Sequence, residues 1–197
     1  MQPENAIPFL SGPKKIGIYG GSFNPPHIGH TLVILAAMSE YALDQVWVIP
    51  CADHPVKKDL ISFGHRFKMS QMAFSCIKDC EVLPLESGLP KPSFTADTLR
   101  FISENAPEAD LHLIVGEDSF KEMHTWKDSG AIKTYAKTIS VPRPKSSDED
   151  AFLPNISSTK VRDCIRKGLP IKAGIDHAVH RYILYNALYC DLAGSEI

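Results

Sequence analysis

Short apolar runs alternate with longer mixed stretches along most of this chain. The apolar runs at 15–19, 45–49, 81–85, 111–115 and 138–141 predict β-strands, most of them covered on both faces. The stretches between them predict helices at 27–41, 65–78, 95–104, 119–123 and 129–135, the first with apolar residues three or four apart. This alternation predicts an α/β fold built on a doubly wound parallel sheet of about five to six strands. Right-handed crossovers would place the loops that follow the strands along one edge, where such sheets bind ligands.

The C-terminal part has a different pattern, with two helices and no strand. Ser157 or Ser158 is a suitable N-cap for the first helix, and Gly168 and Pro170 would end it. The second is predicted over 176–188, and both would cover the Rossmann-like sheet. We therefore expect one domain over 14–190, with a C-terminal helical part at about 156–190, between short tails at 1–13 and 191–197. The segment 143–153, rich in Pro, Ser and acidic residues, is predicted to be a surface loop.

Composition and charge exclude several classes of protein. The formal net charge of −2 gives no general attraction to nucleic acid, so any phosphate site must be local. No apolar run approaches the ~20 residues of a membrane helix, and no signal peptide is visible. The five cysteines are odd in number and contain no C-x-x-C pair, so we expect reduced thiols in a cytoplasmic protein. Cys76 and Cys80 have no further ligands at zinc-site spacing, and no metal site is predicted.

The strongest chemical signal follows the first strand, in Gly20-Gly21-Ser22-Phe23-Asn24-Pro25-Pro26-His27-Ile28-Gly29-His30. The glycines permit close approach of a ligand to the backbone. The N-terminus of the helix offers free N–H groups and the positive end of its dipole, which suit a phosphate. His27 and His30 are three residues apart and would lie on one face of the first turn. The segment therefore predicts a phosphate site.

This segment resembles the H-x-G-H signature of the nucleotidyltransferases, in the form found in the nicotinate/nicotinamide mononucleotide adenylyltransferases. The resemblance covers roughly residues 14–190. It implies that His27 and His30 hold the ATP triphosphate around the α-phosphorus, with Gly20, Gly21, Ser22 and Phe23 in the ATP site. It also implies that Ser22, Phe23 and Asn24 belong to the mononucleotide site.

Further segments match the same family. Ile156-Ser157-Ser158-Thr159-x-x-Arg162 resembles its I-S-[ST]-T-x-x-R segment, which grips the nucleotide phosphates, so Arg162 joins the two histidines as a predicted catalytic residue. Hydroxyls at a helix start with an arginine one turn later also suit an anion on physical grounds. The turn after the fourth strand implies adenosine contacts for Gly116 and Asp118, and Trp126 would stack on the pyridine ring. Two weaker matches follow. The segment 93–99 resembles a helix start of the family and implies mononucleotide contacts for Phe94 and Thr95, and the segment 49–58 implies one for Lys57, with Lys58 beside it.

The function implied is transfer of the adenylyl group of ATP to nicotinate or nicotinamide mononucleotide in NAD biosynthesis. Mg²⁺ would be the cofactor, bound mainly through the nucleotide because the sequence has no carboxylate cluster. ATP and a pyridine mononucleotide would be the partners, with no nucleic acid or membrane, and the oligomeric state stays open. Asn24 stands where many bacterial members carry aspartate, which leaves the choice of pyridine open. Two alternatives remain: a relative acting on phosphopantetheine or a phosphorylated alcohol, and a catalytically silent nucleotide sensor.

Overall fold

A computed structural model describes residues 7–8, 12, 14–57, 59–142, 156–169, 171 and 174–190. The predicted loop at 143–153, the tail at 191–197, Lys58 and Pro170 lie outside these residues, as does most of the tail at 1–13.

Five parallel strands form one sheet in the described part of the chain. They are β1 (Lys14–Gly21), β2 (Gln45–Pro50), β3 (Cys80–Val82), β4 (Ala109–Gly116) and β5 (Lys137–Val141), in the order β3-β2-β1-β4-β5. The chain reverses its direction of winding between β1 and β4, so the loops after these two strands leave on opposite faces of the sheet. The doubly wound parallel sheet predicted from the sequence is confirmed.

Seven helices are described: α1 (Ile28–Tyr41), α2 (Phe63–Phe74), α3 (Thr95–Asn105), α4 (Glu117–Glu122), α5 (Ser129–Tyr135), α6 (Ser158–Arg166) and α7 (His177–Tyr185). Short 3-10 turns occupy Leu85–Gly88 and Met123–Thr125. None of the helices described has the length and apolar character needed to cross a bilayer. Three predicted boundaries are wrong by three residues or more. Helix α2 ends at Phe74 rather than at 78, and α7 ends at Tyr185 rather than at 188. Strand β3 stops at Val82 rather than at 85, since Leu85 already begins a 3-10 turn.

The sheet carries an apolar core on each face because successive strand residues point to opposite sides. Ile16 and Ile18 of β1 pack with Leu99 and Ile102 of α3 on one face. On the other face, Ile34 of α1, Met69 of α2, and Val179 and Ile183 of α7 pack against the sheet. The carboxyl ends of the strands are thereby held at one rim, beside the start of α6.

Candidate active site

A cavity of about 890 Å³ opens at the carboxyl ends of β1 and β4, where the winding reverses. The residues that line it include His27, His30, Lys57 and Arg162, and Asp59 is the acidic one among the lining residues that the structure describes. A chain with a net charge of −2 thus places basic and imidazole side chains together at this one point. The arrangement suits a polyanion such as a nucleotide triphosphate.

The loop after β1 is shaped by packing around Phe23. The backbone of Phe23 has a φ of 45°, and its side chain is buried. The Phe23 ring lies edge-on to the His30 ring, with centroids 5.1 Å apart. A Cβ at Gly21 would come within 2.9 Å of the Phe23 ring, whereas a Cβ at Gly20 would have no protein atom within 4 Å. The glycine at 21 is therefore required by the fold of the loop. The one at 20 leaves open space at the cavity.

The two histidines lie side by side at the start of α1. Their ring centroids are 3.8 Å apart, and His27 is buried. The backbone N–H of His27 donates to Nδ1 of His30 over 3.1 Å. In the neutral imidazole of His30 the proton must then lie on Nε2, which makes that nitrogen a hydrogen-bond donor. Gly29 allows this arrangement, because a Cβ there would come within 3.0 Å of the His27 ring.

Helix α6 is docked on the loop that carries the histidines. Arg162 Nη1 donates to the carbonyl oxygen of Asn24 over 2.7 Å, and Ser158 Oγ donates to that of Pro25 over 2.8 Å. Ser157 caps the helix through its Oγ, which accepts from the N–H of Lys160. The two segments that the sequence predicts to bind phosphate are thus joined directly, although more than 130 residues separate them.

Lys57 approaches the same loop from the segment after β2. Its Nζ lies 3.5 Å from Ser22 Oγ. His54 Nδ1 accepts from the backbone N–H groups of Val56 and Lys57, each over 3.1 Å, and so holds the turn that presents the lysine. Burial lowers the pKa of His54, with help from the charge on Lys57. A neutral His54 is the form that accepts these two bonds.

Two buried charged residues behind the cavity were not predicted as site residues. Arg66 is 1% exposed, and its guanidinium donates to the carbonyl oxygens of Ser22, Cys51, Ala52 and Ile61. It therefore ties the loop after β1 to the loop after β2. Although Arg66 lies on the first turns of α2, where surface charge is common, its side chain points inward. Sequence pattern carries no signal for this inward position.

Glu86 is the second buried charge. Its carboxylate accepts from the N–H of Ala52 over 3.1 Å and from Thr98 Oγ1 over 3.0 Å. Burial raises the pKa of Glu86, while these hydrogen bonds oppose the rise. Burial, followed by the charge on Glu86, also raises the pKa of the Cys51 thiol to about 12, so this thiol stays protonated. Glu86, which accepts from the Ala52 N–H, and Arg66, which donates to the Cys51 carbonyl, thus stabilise the start of the segment that carries Lys57.

Most of the residues predicted from the sequence meet at the cavity. Those that line it are Gly20, Gly21, Ser22, Phe23, Asn24, His27, His30, Lys57, Gly116, Trp126, Ile156, Ser157, Ser158 and Arg162. The described residues that line it without having been predicted include Ser119, Asp59 and Thr159. Thr159 accepts from Arg162 Nη2 over 3.3 Å. The T of the I-S-[ST]-T segment was the available signal for Thr159.

Three predicted residues lie outside the cavity lining. Asp118 is on the first turn of α4, while the neighbouring Ser119 lines the cavity instead. Phe94 is the N-cap residue of α3 and Thr95 its first residue, and Lys127 Nζ lies 4.3 Å from the centre of the Phe94 ring. Their predicted ligand contacts stay predictions.

Comparisons with known proteins show which family this chain belongs to. A family model described as cytidylyltransferase-like matches residues 18–164. A Thermus thermophilus protein that carries the name probable nicotinate-nucleotide adenylyltransferase is 33% identical over 184 residues, covering 89% of this chain and 99% of its own. The chain belongs to this adenylyltransferase family. The resemblance predicted from the glycine and histidine motif is confirmed.

Solved structures share the fold of this adenylyltransferase family member. One, from Vibrio parahaemolyticus and described as a "putative nicotinate-nucleotide adenylyltransferase", has a TM-score of 0.72 at 25% identity and covers 89% of this chain and 95% of its own. A nicotinic acid mononucleotide adenylyltransferase from Plasmodium falciparum, complexed with NaAD, has the same TM-score at 22% identity, with 89% and 97% covered. The Rossmann-like α/β fold is therefore common to the family.

Proposed function

We propose that this chain transfers the adenylyl group of ATP to nicotinate or nicotinamide mononucleotide, giving the dinucleotide and pyrophosphate in NAD biosynthesis. The observation that carries the proposal is the convergence of His27, His30, Arg162 and Trp126 on one cavity at the reversal point of the sheet. The basic groups match a triphosphate, and the indole offers an aromatic face to a pyridine ring. The name of the Thermus thermophilus relative favours nicotinate mononucleotide as the first substrate to test.

His30 and His27 are assigned to the α- and β-phosphates of ATP. A neutral His30 that donates from Nε2 can stabilise charge as it develops on the α-phosphate oxygens. Arg162 and the turn at Ser158 are assigned to the β- and γ-phosphates, where the guanidinium fork suits phosphate oxygens. Gly20 leaves room for the nucleotide against the backbone, because no protein atom occupies the space at its absent Cβ.

The reaction is a displacement at the α-phosphorus. An oxygen of the mononucleotide 5′-phosphate forms a bond to this atom while the bond to the oxygen that bridges to the β-phosphorus breaks, and pyrophosphate leaves with that bond's electron pair. A phosphate monoester has a second pKa of about 6, so the nucleophile is already ionised at neutral pH and needs no general base. The protein therefore contributes alignment and charge neutralisation.

The residues present fit a magnesium ion that arrives with ATP. Within the described ranges, no group of three or more histidine, cysteine or carboxylate side chains could hold a metal ion. Bound to the triphosphate, Mg²⁺ would neutralise part of the phosphate charge. His27, His30 and Arg162 would then position the phosphates and stabilise the charge that remains on them.

Trp126 and Lys57, which both line the cavity, are assigned to the mononucleotide. Stacking on the indole would hold the electron-poor pyridine ring, and Lys57 would reach the substrate phosphate. Gly116 at the end of β4 is assigned to the adenosine. Phe94 and Thr95 would read the carboxylate or amide on the ring if α3 approaches the bound substrate.

The test is pyrophosphate release with ATP and Mg²⁺, run in parallel on nicotinate mononucleotide and nicotinamide mononucleotide, with chromatography of the dinucleotide. We expect release with at least one of them, and the ratio of the two kcat/KM values identifies the preferred pyridine. Phosphopantetheine and glycerol phosphate are run beside them. Turnover of either of these without turnover of a pyridine nucleotide would refute the proposal, and so would silence with all four substrates.

A further inference from the structure

The side chain of Asn24 forms hydrogen bonds with two parts of the chain that are far apart in sequence. Asn24 is 3% exposed at the edge of the cavity. Its Oδ1 accepts from the hydroxyl of Tyr189 over 2.9 Å, and its Nδ2 donates to the carbonyl oxygen of Asp59 over 3.3 Å. One partner is a donor and the other an acceptor, so the site fits an amide.

A carboxylate would not satisfy both partners. An aspartate at position 24 could accept from Tyr189, but it has no hydrogen to donate, and a negative oxygen would face the carbonyl oxygen of Asp59. The choice of asparagine here is therefore explained by the two partners within the protein. Direct contact with the pyridine substituent is not needed to account for it.

Tyr189 is a fixed donor in this arrangement. It packs with the apolar core on the face of α7, which Val179 and Ile183 anchor. Burial raises the pKa of its phenol, so the hydroxyl keeps its proton. The N–H of Ile28 also donates to the carbonyl oxygen of Gly174, over 2.7 Å, which joins the approach to α7 to the start of α1. The C-terminal segment thus braces the loop after β1 from outside the cavity.

The other partner of Asn24 belongs to a weakly supported part of the cavity. We call Val56, Lys57, Asp59 and Leu60 the Lys57 wall, since all four line the cavity, and three of them are exposed. Its described links to the loop after β1 are the bond from Asn24 to Asp59 and the contact of Lys57 with Ser22. If the bond from Asn24 to Asp59 is lost, the described link that remains is the 3.5 Å contact between the flexible side chains of Lys57 and Ser22.

We propose that Asn24 and Tyr189 act as a pair of positioning residues that hold the Lys57 wall and so set the affinity for the mononucleotide. Neither residue takes part in the chemical step. Tyr189 fixes the amide of Asn24, and the amide fixes the wall. This inference rests on the proposed function, because it takes Lys57 as a contact of the mononucleotide.

The experiment compares Tyr189→Phe and Asn24→Asp with two control variants. Tyr189→Phe removes the hydroxyl that donates to Asn24, and Asn24→Asp removes the N–H that donates to Asp59. Tyr185→Phe makes the same change on an exposed tyrosine of α7, and Ile183→Val weakens the packing of α7 without touching Asn24. We expect both test variants to raise KM for the mononucleotide about five- to tenfold, the effect of one lost hydrogen bond. KM for ATP and kcat should stay within about twofold, and both controls should resemble the wild type.

A second measurement does not depend on turnover. Hydrogen–deuterium exchange of the peptide spanning 56–61 should be faster in Tyr189→Phe and Asn24→Asp than in the wild type and both controls. Faster exchange with an unchanged mononucleotide KM would overturn the role in affinity. Unchanged exchange, or an equal rise in Ile183→Val, would overturn the bracing itself. A wild type that forms no dinucleotide would refute the proposed function and leave the exchange result to decide the bracing.

Discussion

Arg66 offers the sharpest test of how the cavity is held together. Its guanidinium contacts four carbonyl oxygens: those of Cys51 at 2.6 Å, Ile61 and Ser22 at 3.0 Å, and Ala52 at 3.2 Å. The perturbation is Arg66→Lys, which keeps the charge and a similar length. An ammonium has three donors on one atom, whereas the guanidinium spreads five over a planar fork. The lysine ammonium therefore cannot reach all four carbonyl groups, which converge from three separate segments.

The expected magnitude follows from the bonds that are lost. If the ammonium keeps two of the four, two carbonyl oxygens lose a charged donor in a nearly water-free site. Bonds to charged groups contribute about 1.5–3 kcal/mol each, and water that enters the site would recover part of this. We expect the free energy of unfolding to fall by about 3 kcal/mol. Because the lost bonds hold the loops after β1 and β2, kcat/KM should fall as well.

The assay is urea unfolding with linear extrapolation, at constant slope. Arg100→Lys is the matched control, since Arg100 is an exposed residue paired with Asp97 over 2.9 Å, and such pairs contribute about 0–1 kcal/mol. A loss below about 1 kcal/mol for Arg66→Lys, or a loss equal to that of the control, would refute the argument that the fork is required.

Three other predictions concern single positions. His30→Ala should lower kcat about 10²–10³-fold in protein that still folds, although loss of the bond from the His27 N–H should cost about 0.5–2 kcal/mol of stability. The exposed His124→Ala should stay near wild type, and a kcat within fivefold for His30→Ala would contradict the role of His30 as donor. Gly20→Ala should raise KM for ATP at unchanged stability, because the added Cβ enters the open space of the cavity. Gly21→Ala should cost about 1–3 kcal/mol of stability, because its Cβ meets the Phe23 ring. The reverse pattern would be evidence against placing ATP beside Gly20. For Glu86, burial raises the pKa above its ordinary 4.5, so the folded protein keeps a proton that the unfolded chain has lost. The stability of the wild type relative to Glu86→Gln should therefore decrease as pH rises above 4.5, measured as a difference in unfolding free energy, and an increase would show that the hydrogen bonds outweigh burial.

The parts of the fold that depend on local pattern were accessible from the sequence. The alternation of apolar runs and helical stretches predicted the parallel sheet, and the spacing of His27 and His30 predicted their common face. The errors lie where local pattern is weak. Leu83 and Leu85 continue the apolar run of β3 but are buried outside the strand, because burial alone does not distinguish a strand from the turn that follows it.

The arrangement behind the cavity could not be predicted, because it depends on contacts between distant segments. Arg66 is one of many basic residues at helix starts, and only its surroundings show that its charge points to backbone carbonyls. The partners of Asn24 lie 35 and 165 residues away. A motif match could mark Asn24 as a site residue, but it could not show that its amide already has two partners.

The contacts of the loop after β1 suggest why this chain can hold a highly charged substrate without a strongly basic surface. The carbonyl oxygens of Asn24 and Pro25 accept from Arg162 and Ser158, and that of Ser22 accepts from Arg66. Each donor is oriented by a carbonyl group before any substrate arrives, so less side-chain entropy remains to be lost on binding. The described hydrogen bonds of Arg162 go to uncharged oxygens, those of Asn24 and Thr159, so no carboxylate in these contacts offsets its positive charge. Preorganised local charge can thus replace the general electrostatic attraction that a net charge of −2 does not supply.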